Sequence, residues 1–250
     1  MYDTNLRPTF VRLLIVASLV LTAAHVTAAD GLKQLAGEKS PLQQGEVIAF
    51  FGDSITAAGA REGGYCRLID AAITAGQPDL GVTIVYAGIS GHKVPNLQER
   101  LDRDVLSKKP TVVFIYIGIN DVWHSTRGQG TPKDLFEAGL RDLIKQIGEA
   151  GATVVLCTPS TIGEKPDGSN PLDPMLEEYS AISRKVAKET KTTLCDLRKA
   201  FIDYLKENNP ENKDRGILTG DGVHLDAEGN KFVADLAAGA IAIALKGRGK

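Results

Sequence analysis

Near its C-terminus the chain reads Asp221-Gly222-Val223-His224. A hydroxyl at its ordinary pKa is a poor nucleophile. A serine that transfers an acyl group therefore needs an imidazole to take its proton, and the imidazole needs a partner that fixes its tautomer. An aspartate and a histidine three apart on one turn supply both. His92 and His124 are the other bases available beyond the N-terminal segment, and of the three His224 is taken to be the one with an acid at that short spacing before it. The hydroxyl to pair with such a base stands in Gly52-Asp53-Ser54-Ile55-Thr56. A serine on a tight strand-to-helix turn projects its Oγ from the end of a sheet, while its own N–H points into the same space, as a nucleophile and an oxyanion donor must. The plainer reading is an Asp or Ser capping the next helix. Two further segments belong with it. Gly88-Ile89-Ser90-Gly91 reads as a glycine turn, with Ser90 as a rival nucleophile that lacks a matched base; Gly118-Ile119-Asn120-Asp121 offers a carboxamide donor. Asp53 and Asp121 are expected to hold their own turns through side-chain to backbone hydrogen bonds.

These segments require a scaffold that brings distant turns together. Val47 to Phe51, Val82 to Tyr86, Thr111 to Ile117, Ala152 to Cys157 and Thr192 to Leu197 are short runs rich in β-branched residues, several of them bounded by Gly or Pro, the pattern of buried strands. Between them lie helical stretches over 64–75 and 94–106, a helix near 135–147 and one carrying Leu176, Tyr179, Ile182 and Val186; closing helices follow the fifth strand. Five strands alternating with helices predict an α/β domain, a parallel sheet covered on both faces. Ligands of such sheets bind beyond the carboxyl ends of the strands, where the strand order reverses. Ser54, Ser90 and Asn120 all follow strands. The long irregular segment is taken to be Thr158 to Pro174, directly after the fourth strand, a candidate wall or lid of the site.

Composition limits what else the chain can be. Its 250 residues carry 29 Lys and Arg against 31 Asp and Glu, for a net charge of −2, and are 43% hydrophobic. That is a globular chain of one domain, two at most, without the basic stripe that a nucleic-acid partner demands. Arg7 and Arg12 precede an uncharged run from Leu13 to Val26 and then Thr27-Ala28-Ala29, the pattern of a secretory signal peptide cleaved after Ala28 or Ala29. An uncleaved anchor is the alternative, although the run falls short of the roughly 20 residues that span a bilayer. The expected organisation is a signal peptide over 1–29, a lead-in over 30–45 and one domain over 46–250. Its product is periplasmic or extracellular, with no stable membrane insertion of the mature chain. Cys66, Cys157 and Cys195 read as buried thiols on a helix and two strands, or as one disulfide with a thiol left over. Monomer is the default.

Phe51-Gly-Asp-Ser54, Gly88-x-Ser-Gly91, Gly118-x-Asn-Asp121 and Asp221-x-x-His224, in this order, resemble the four blocks of the SGNH hydrolases, the GDSL-type esterases and lipases. The resemblance covers the chain from about Glu46 onward. It implies a three-layer, flavodoxin-like α/β/α sandwich. It also implies Ser54 as nucleophile, His224 and Asp221 as base and acid, and an oxyanion hole from the N–H groups of Ser54 and Gly91 with the Asn120 amide; no metal or organic cofactor is called for. Tyr86 and His92 depart from residues the family often has there. The expected reaction is two-step hydrolysis of a carboxylic ester. Aromatics make up only 6% of the chain and the loops near the site are mostly polar, which together with export favours a small acyl group on a polar alcohol. The resemblance, since several SGNH families are carbohydrate deacetylases, implies an acetyl ester of a carbohydrate. Trp123, His124 and His92 are its candidate contacts, Trp123 being equally readable as a half-buried core aromatic. The alternatives are a lysophospholipase or thioesterase of the same family and a catalytically silent carbohydrate-binding protein.

Overall fold

The structure, a computed structural model, describes Met1 and residues 30–248. Apart from Met1, the expected signal peptide lies outside the described residues. Five strands form one sheet: β1 (Val47–Gly52), β2 (Thr83–Gly88), β3 (Val112–Tyr116), β4 (Thr153–Cys157) and β5 (Thr193–Cys195). Their order is β2-β1-β3-β4-β5 and every pairing is parallel. Strand β3 is buried along its whole length and β1 almost so, which is why both read as unbroken apolar runs rather than as alternating ones.

Nine helices of the described residues surround the sheet. On one face α1 (Gly31–Ala36), α3 (Tyr65–Gly76) and α9 (Ala227–Lys246) pack on one another, and α4 (Val94–Asp104), α6 (Lys133–Glu149) and α7 (Asp173–Thr190) do so on the other. The connections α8 (Leu197–Asn208), α2 (Ser54–Gly59) and α5 (Ile119–Trp123) complete the set. Helix α8 lays Phe201 and Tyr204 against Phe232 of α9. Beneath α3 the rings of Phe50, Tyr65 and Phe114 meet edge to face, at 5.6 and 5.7 Å between centroids. The segment before β1 is an integral part of this layer: Leu35 is fully buried, and the Leu32 N–H donates to Asp235 Oδ1 of α9 at 3.0 Å. At the amino end of the sheet the buried Glu46 carboxylate accepts from Arg248 at 2.6 Å, while the same guanidinium donates to the Thr111 carbonyl at 2.7 Å.

All five expected strands are present, within two residues at each end. The expected single long irregular segment needs correction. Residues 158–172 are irregular, but so are 209–226, between α8 and α9, where one bridge joins Thr219 to Leu225. Pro210, Gly216, Gly220 and Gly222 break any helical period there. Cys66, Cys157 and Cys195 are buried and unbridged, on α3, β4 and β5.

Candidate active site

The reversal of strand order falls between β1 and β3, and the register aligns the strand ends there. Gly52 pairs with Gly88 on one side and with Tyr116 on the other. Ser54, Gly91 and Asn120 lie two, three and four residues beyond this row. Helix α2 starts immediately on it. A Cβ on Gly52 would stand 2.3 Å from both Thr56 Oγ1 and the Tyr116 carbonyl oxygen, and one on Gly88 would stand 2.2 Å from the Ala57 nitrogen. Glycine at both positions lets the helix seat directly on the sheet end. Asp53 Oδ1 accepts the Ile55 N–H at 2.9 Å and caps α2. The capping reading and the nucleophile reading of this turn thus fall on adjacent residues.

Ser54 Oγ lies 2.9 Å from His224 Nε2, and His224 Nδ1 lies 2.7 Å from Asp221 Oδ2. The other Asp221 oxygen accepts the N–H groups of Val223 and His224 at 3.0 and 2.7 Å, so one carboxylate both closes the turn and orients the ring. Partial burial pushes the Asp221 pKa up, but the hydrogen bonds from the His224 ring and from the two backbone N–H groups bring it below the ordinary carboxylate value. An ionised carboxylate only accepts. Nδ1 therefore carries the ring proton, and Nε2 presents a lone pair to the Ser54 hydroxyl.

The expectation that His224 alone has an acid three residues before it needs correction: the same spacing recurs at Asp121-Val122-Trp123-His124, a repetition that spacing alone does not resolve. Asp121 is fully buried and accepts the Val94 N–H at 3.2 Å, and the His124 ring makes no hydrogen bond to another described residue. Ser90 is exposed and hydrogen-bonds to no histidine among the described residues.

Gly91 has φ +77°, a conformation open to glycine at little cost. Neither its N–H nor that of Ser54 donates to an acceptor among the described residues. Asn120 is buried, and its Nδ2 donates to the His92 carbonyl at 3.1 Å, which orients the amide and leaves its second N–H without an acceptor among the described residues. The His92 ring is engaged elsewhere, its Nδ1 lying 3.0 Å from Arg100 Nε. Burial, then the Arg100 charge, holds the His92 pKa below its ordinary value, and the Arg100 Nε–H can donate only to an unprotonated Nδ1.

Arg100 is the residue that motif reading missed. Buried in α4 over the Phe51 ring at 4.5 Å, it donates to the Gly52 carbonyl at 2.8 Å and to the Ala87 carbonyl at 2.9 Å. One guanidinium thereby ties the ends of β1 and β2 to the loop that carries Gly91 and His92. The available signal was its position on the apolar stripe of α4, between Leu97 and Leu101.

Asp53 accepts the Ile55 N–H within its own turn, as expected, whereas Asp121 accepts that of Val94 at the start of α4 and so tethers another element rather than its own turn; the second oxygen of each is buried without a partner among the described residues. Burial raises Asp53 from 3.8 to about 7, with the Asp121 charge adding to the rise; burial likewise raises Asp121 to about 6.

Trp123 packs partly against the core and sets its ring 6.5 Å from that of His224. With Ile162, Lys165, Asp214, Asp221 and Val223 it lines a cavity of about 310 Å³ beside the Asp221–His224 turn. The 158–172 segment is one wall of that cavity. His124 lies in the 3-10 turn that follows Trp123, half-buried.

A model of the GDSL-like lipase/acylhydrolase family matches residues 50–232. An acetylxylan esterase of Geobacillus stearothermophilus is 32% identical over 209 residues, 76% of this chain and 91% of that one. Among solved structures, the acetyl xylan esterase AlAXEase superposes with a TM-score of 0.75 at 46% identity, over 78% of this chain and 99% of its own. The Geobacillus enzyme gives 0.71 at 30% identity, over 80% and 96%. Catalytic mutants of that enzyme have been solved with a serine, an aspartate or a histidine replaced.

Proposed function

Because this chain belongs to the GDSL-like lipase/acylhydrolase family and is a carboxylic ester hydrolase, we propose that it is an exported serine esterase that removes acetyl groups from carbohydrate esters. The observation that carries the reading is the unbroken chain from Ser54 Oγ through His224 to Asp221, at 2.9 and 2.7 Å, at the reversal of strand order. His224 takes the Ser54 proton as Oγ attacks the ester carbonyl. The oxyanion is held by the N–H groups of Ser54 and Gly91 and by the free N–H of Asn120. The tetrahedral adduct collapses as His224 returns the proton to the leaving alcohol; water, deprotonated by His224, then releases the acid by the same route.

The substrate class rests on two supports. Relatives that cover most of this chain are acetylxylan esterases. The cavity beside His224 is lined by Lys165, Asn170 and Asp214 as well as by Trp123 and Ile162, a surface suited to hydroxyl groups and a sugar face rather than to a long acyl chain. Trp123 is the proposed sugar contact; His124 and His92, the other candidates, do not line this cavity. The leader pattern of residues 1–29 supports export.

The test is kcat/KM of residues 30–250 on p-nitrophenyl esters from acetyl to dodecanoyl, then acetate release from acetylated xylo-oligosaccharides, with Ser54→Ala as the blank. A maximum at acetyl that disappears in Ser54→Ala is expected. A maximum at long chains transfers the reading to the lysophospholipase or thioesterase alternative. Activity that survives in Ser54→Ala removes Ser54 as nucleophile, and failure of a fluorophosphonate to label Ser54 leaves a silent binding protein.

A further inference from the structure

The segment after β4 does more than line the cavity. Glu164 is fully buried and forms no ion pair with Lys, Arg or His among the described residues. Its carboxylate instead accepts three hydrogen bonds from the irregular run 209–226. Oε2 takes the Ile217 N–H at 2.8 Å; Oε1 takes the Leu218 N–H and the Thr219 hydroxyl, both at 2.8 Å. Thr219, also fully buried, accepts the Gly222 N–H on the same hydroxyl oxygen at 3.1 Å. The backbone runs in parallel with this relay: the Gly163 N–H donates to the Gly222 carbonyl at 2.8 Å and the Glu164 N–H to the Asp214 carbonyl at 3.0 Å. A buried carboxylate without a countercharge is expensive to desolvate. Here it is offset by donors that an irregular loop cannot satisfy within itself.

We infer that Glu164 is a positioning residue for ester hydrolysis, one that sets the place of the Asp221–His224 turn through Ile217, Leu218 and Thr219. The inference rests on the proposed role of that turn as acid and base. It makes the 158–172 segment a fixed brace under the base rather than a lid over the substrate. Glu164 has no other part in the proposed mechanism, since it touches neither Ser54 nor the His224 ring.

The test compares Glu164→Gln with the unmutated protein. Glutamine keeps the shape but turns an amide N–H against one of the three donors, which displaces the turn without opening a cavity. A misplacement of about 1 Å costs up to about a hundredfold in rate. The expected result is therefore a loss of about ten- to a hundredfold in kcat on p-nitrophenyl acetate, with KM changed by less than about threefold. The far-downfield proton resonance of His224 Nδ1–H, bonded to Asp221, shifts or broadens as well. Unchanged kcat together with an unchanged resonance overturns the inference. Because that resonance needs no substrate, an inactive wild-type protein that still shows it would count against the esterase reading and not against the brace. Should Glu164→Gln fail to fold, Thr219→Val and Thr219→Ser decide. Valine removes the hydroxyl relay and is expected to lower kcat, serine restores it and is expected to recover most of the loss, and equal kcat for the two overturns the inference.

Discussion

Asp53 stands next to Ser54, the proposed nucleophile, with one oxygen capping α2 and the other buried without a partner among the described residues. Burial holds its pKa near 7, against 3.8 for an exposed aspartate. The folded protein therefore keeps a proton that the unfolded chain releases between these two values. Below pH 3.8 both states are protonated and the group costs nothing; as pH rises toward 7 stability falls, and above 7 the cost is constant. About three pH units at about 1.4 kcal/mol each give roughly 4 kcal/mol as an upper bound. An asparagine in place of Asp53 accepts the Ile55 N–H equally well and never ionises. Its amide N–H still meets no acceptor in that slot, which takes back about 1–3 kcal/mol. Asp53→Asn is thus expected to lower stability by about 2 kcal/mol near pH 4 and to raise it by about 2 kcal/mol at pH 8, the latter about 4–8 °C in Tm for a chain of this size. Urea unfolding of both proteins at one-unit steps from pH 4 to 9 measures the difference. Parallel stability curves, or a variant less stable at pH 8, would refute the account of Asp53 as a buried acid that folding must hold protonated.

Three other outcomes follow from the site. Asn120→Ala is expected to lower kcat by about a hundred- to a thousandfold while leaving the near-ultraviolet dichroism intact, the usual effect of losing one oxyanion donor; a change within twofold removes Asn120 from the oxyanion hole. Arg100→Lys replaces a planar group that reaches the Gly52 and Ala87 carbonyls and the His92 ring with a point charge that cannot span them. It is expected to cost about 2 kcal/mol or more in urea unfolding and to lower kcat, and an unchanged unfolding midpoint contradicts the pinning role. Burial pushes the thiols of Cys66 and Cys157 far above the ordinary range, and all three cysteines are buried and free. A thiol reagent at pH 8 should count fewer than one thiol in the folded protein and three once it is unfolded, whereas a single thiol in denaturant without reductant would reveal a disulfide.

The parallel sheet was legible because its central strands are buried on both faces and so spell continuous β-branched runs. At the strand ends Ser54 and Asn120 stood out because chemistry there needs particular side chains at short, fixed distances; Gly91 reads by itself as a glycine turn and was singled out only through the family resemblance. The irregular run 209–226 was not legible in the same way, although Pro210, Gly216, Gly220 and Gly222 mark it; Asp221 and His224 stand out by their chemistry, and the loop that carries them does not. Nor could spacing separate Asp221–His224 from Asp121–His124. What divides them is burial: Asp121 is enclosed by its own turn and by α4, while Asp221 stays half-exposed beside a ring that reaches Ser54.

Arg100 and Glu164 escaped for a deeper reason. Charged residues are mostly exposed, so a sequence reading assigns them to the surface unless a partner of opposite charge is in view. Arg100 has such a partner in Asp104, four residues on at 3.1 Å, but the groups through which these two side chains reach the site are backbone ones. Arg100 gives N–H donors to the carbonyls at the ends of β1 and β2; Glu164 gives acceptors to the N–H groups of a loop without regular structure. Backbone groups look alike at every position, and so the contact leaves no trace in residue types. The two side chains solve one problem with opposite signs. Where strands stop and a loop must hold a reacting group in place, the backbone has polar atoms left over, and a buried ion with several bonding directions satisfies them more rigidly than water would. An ion so placed stabilises the fold only modestly, because its own desolvation consumes much of what the hydrogen bonds provide. Its effect on geometry is separate from that balance, and substitution at Arg100 or Glu164 should therefore appear in turnover as well as in stability.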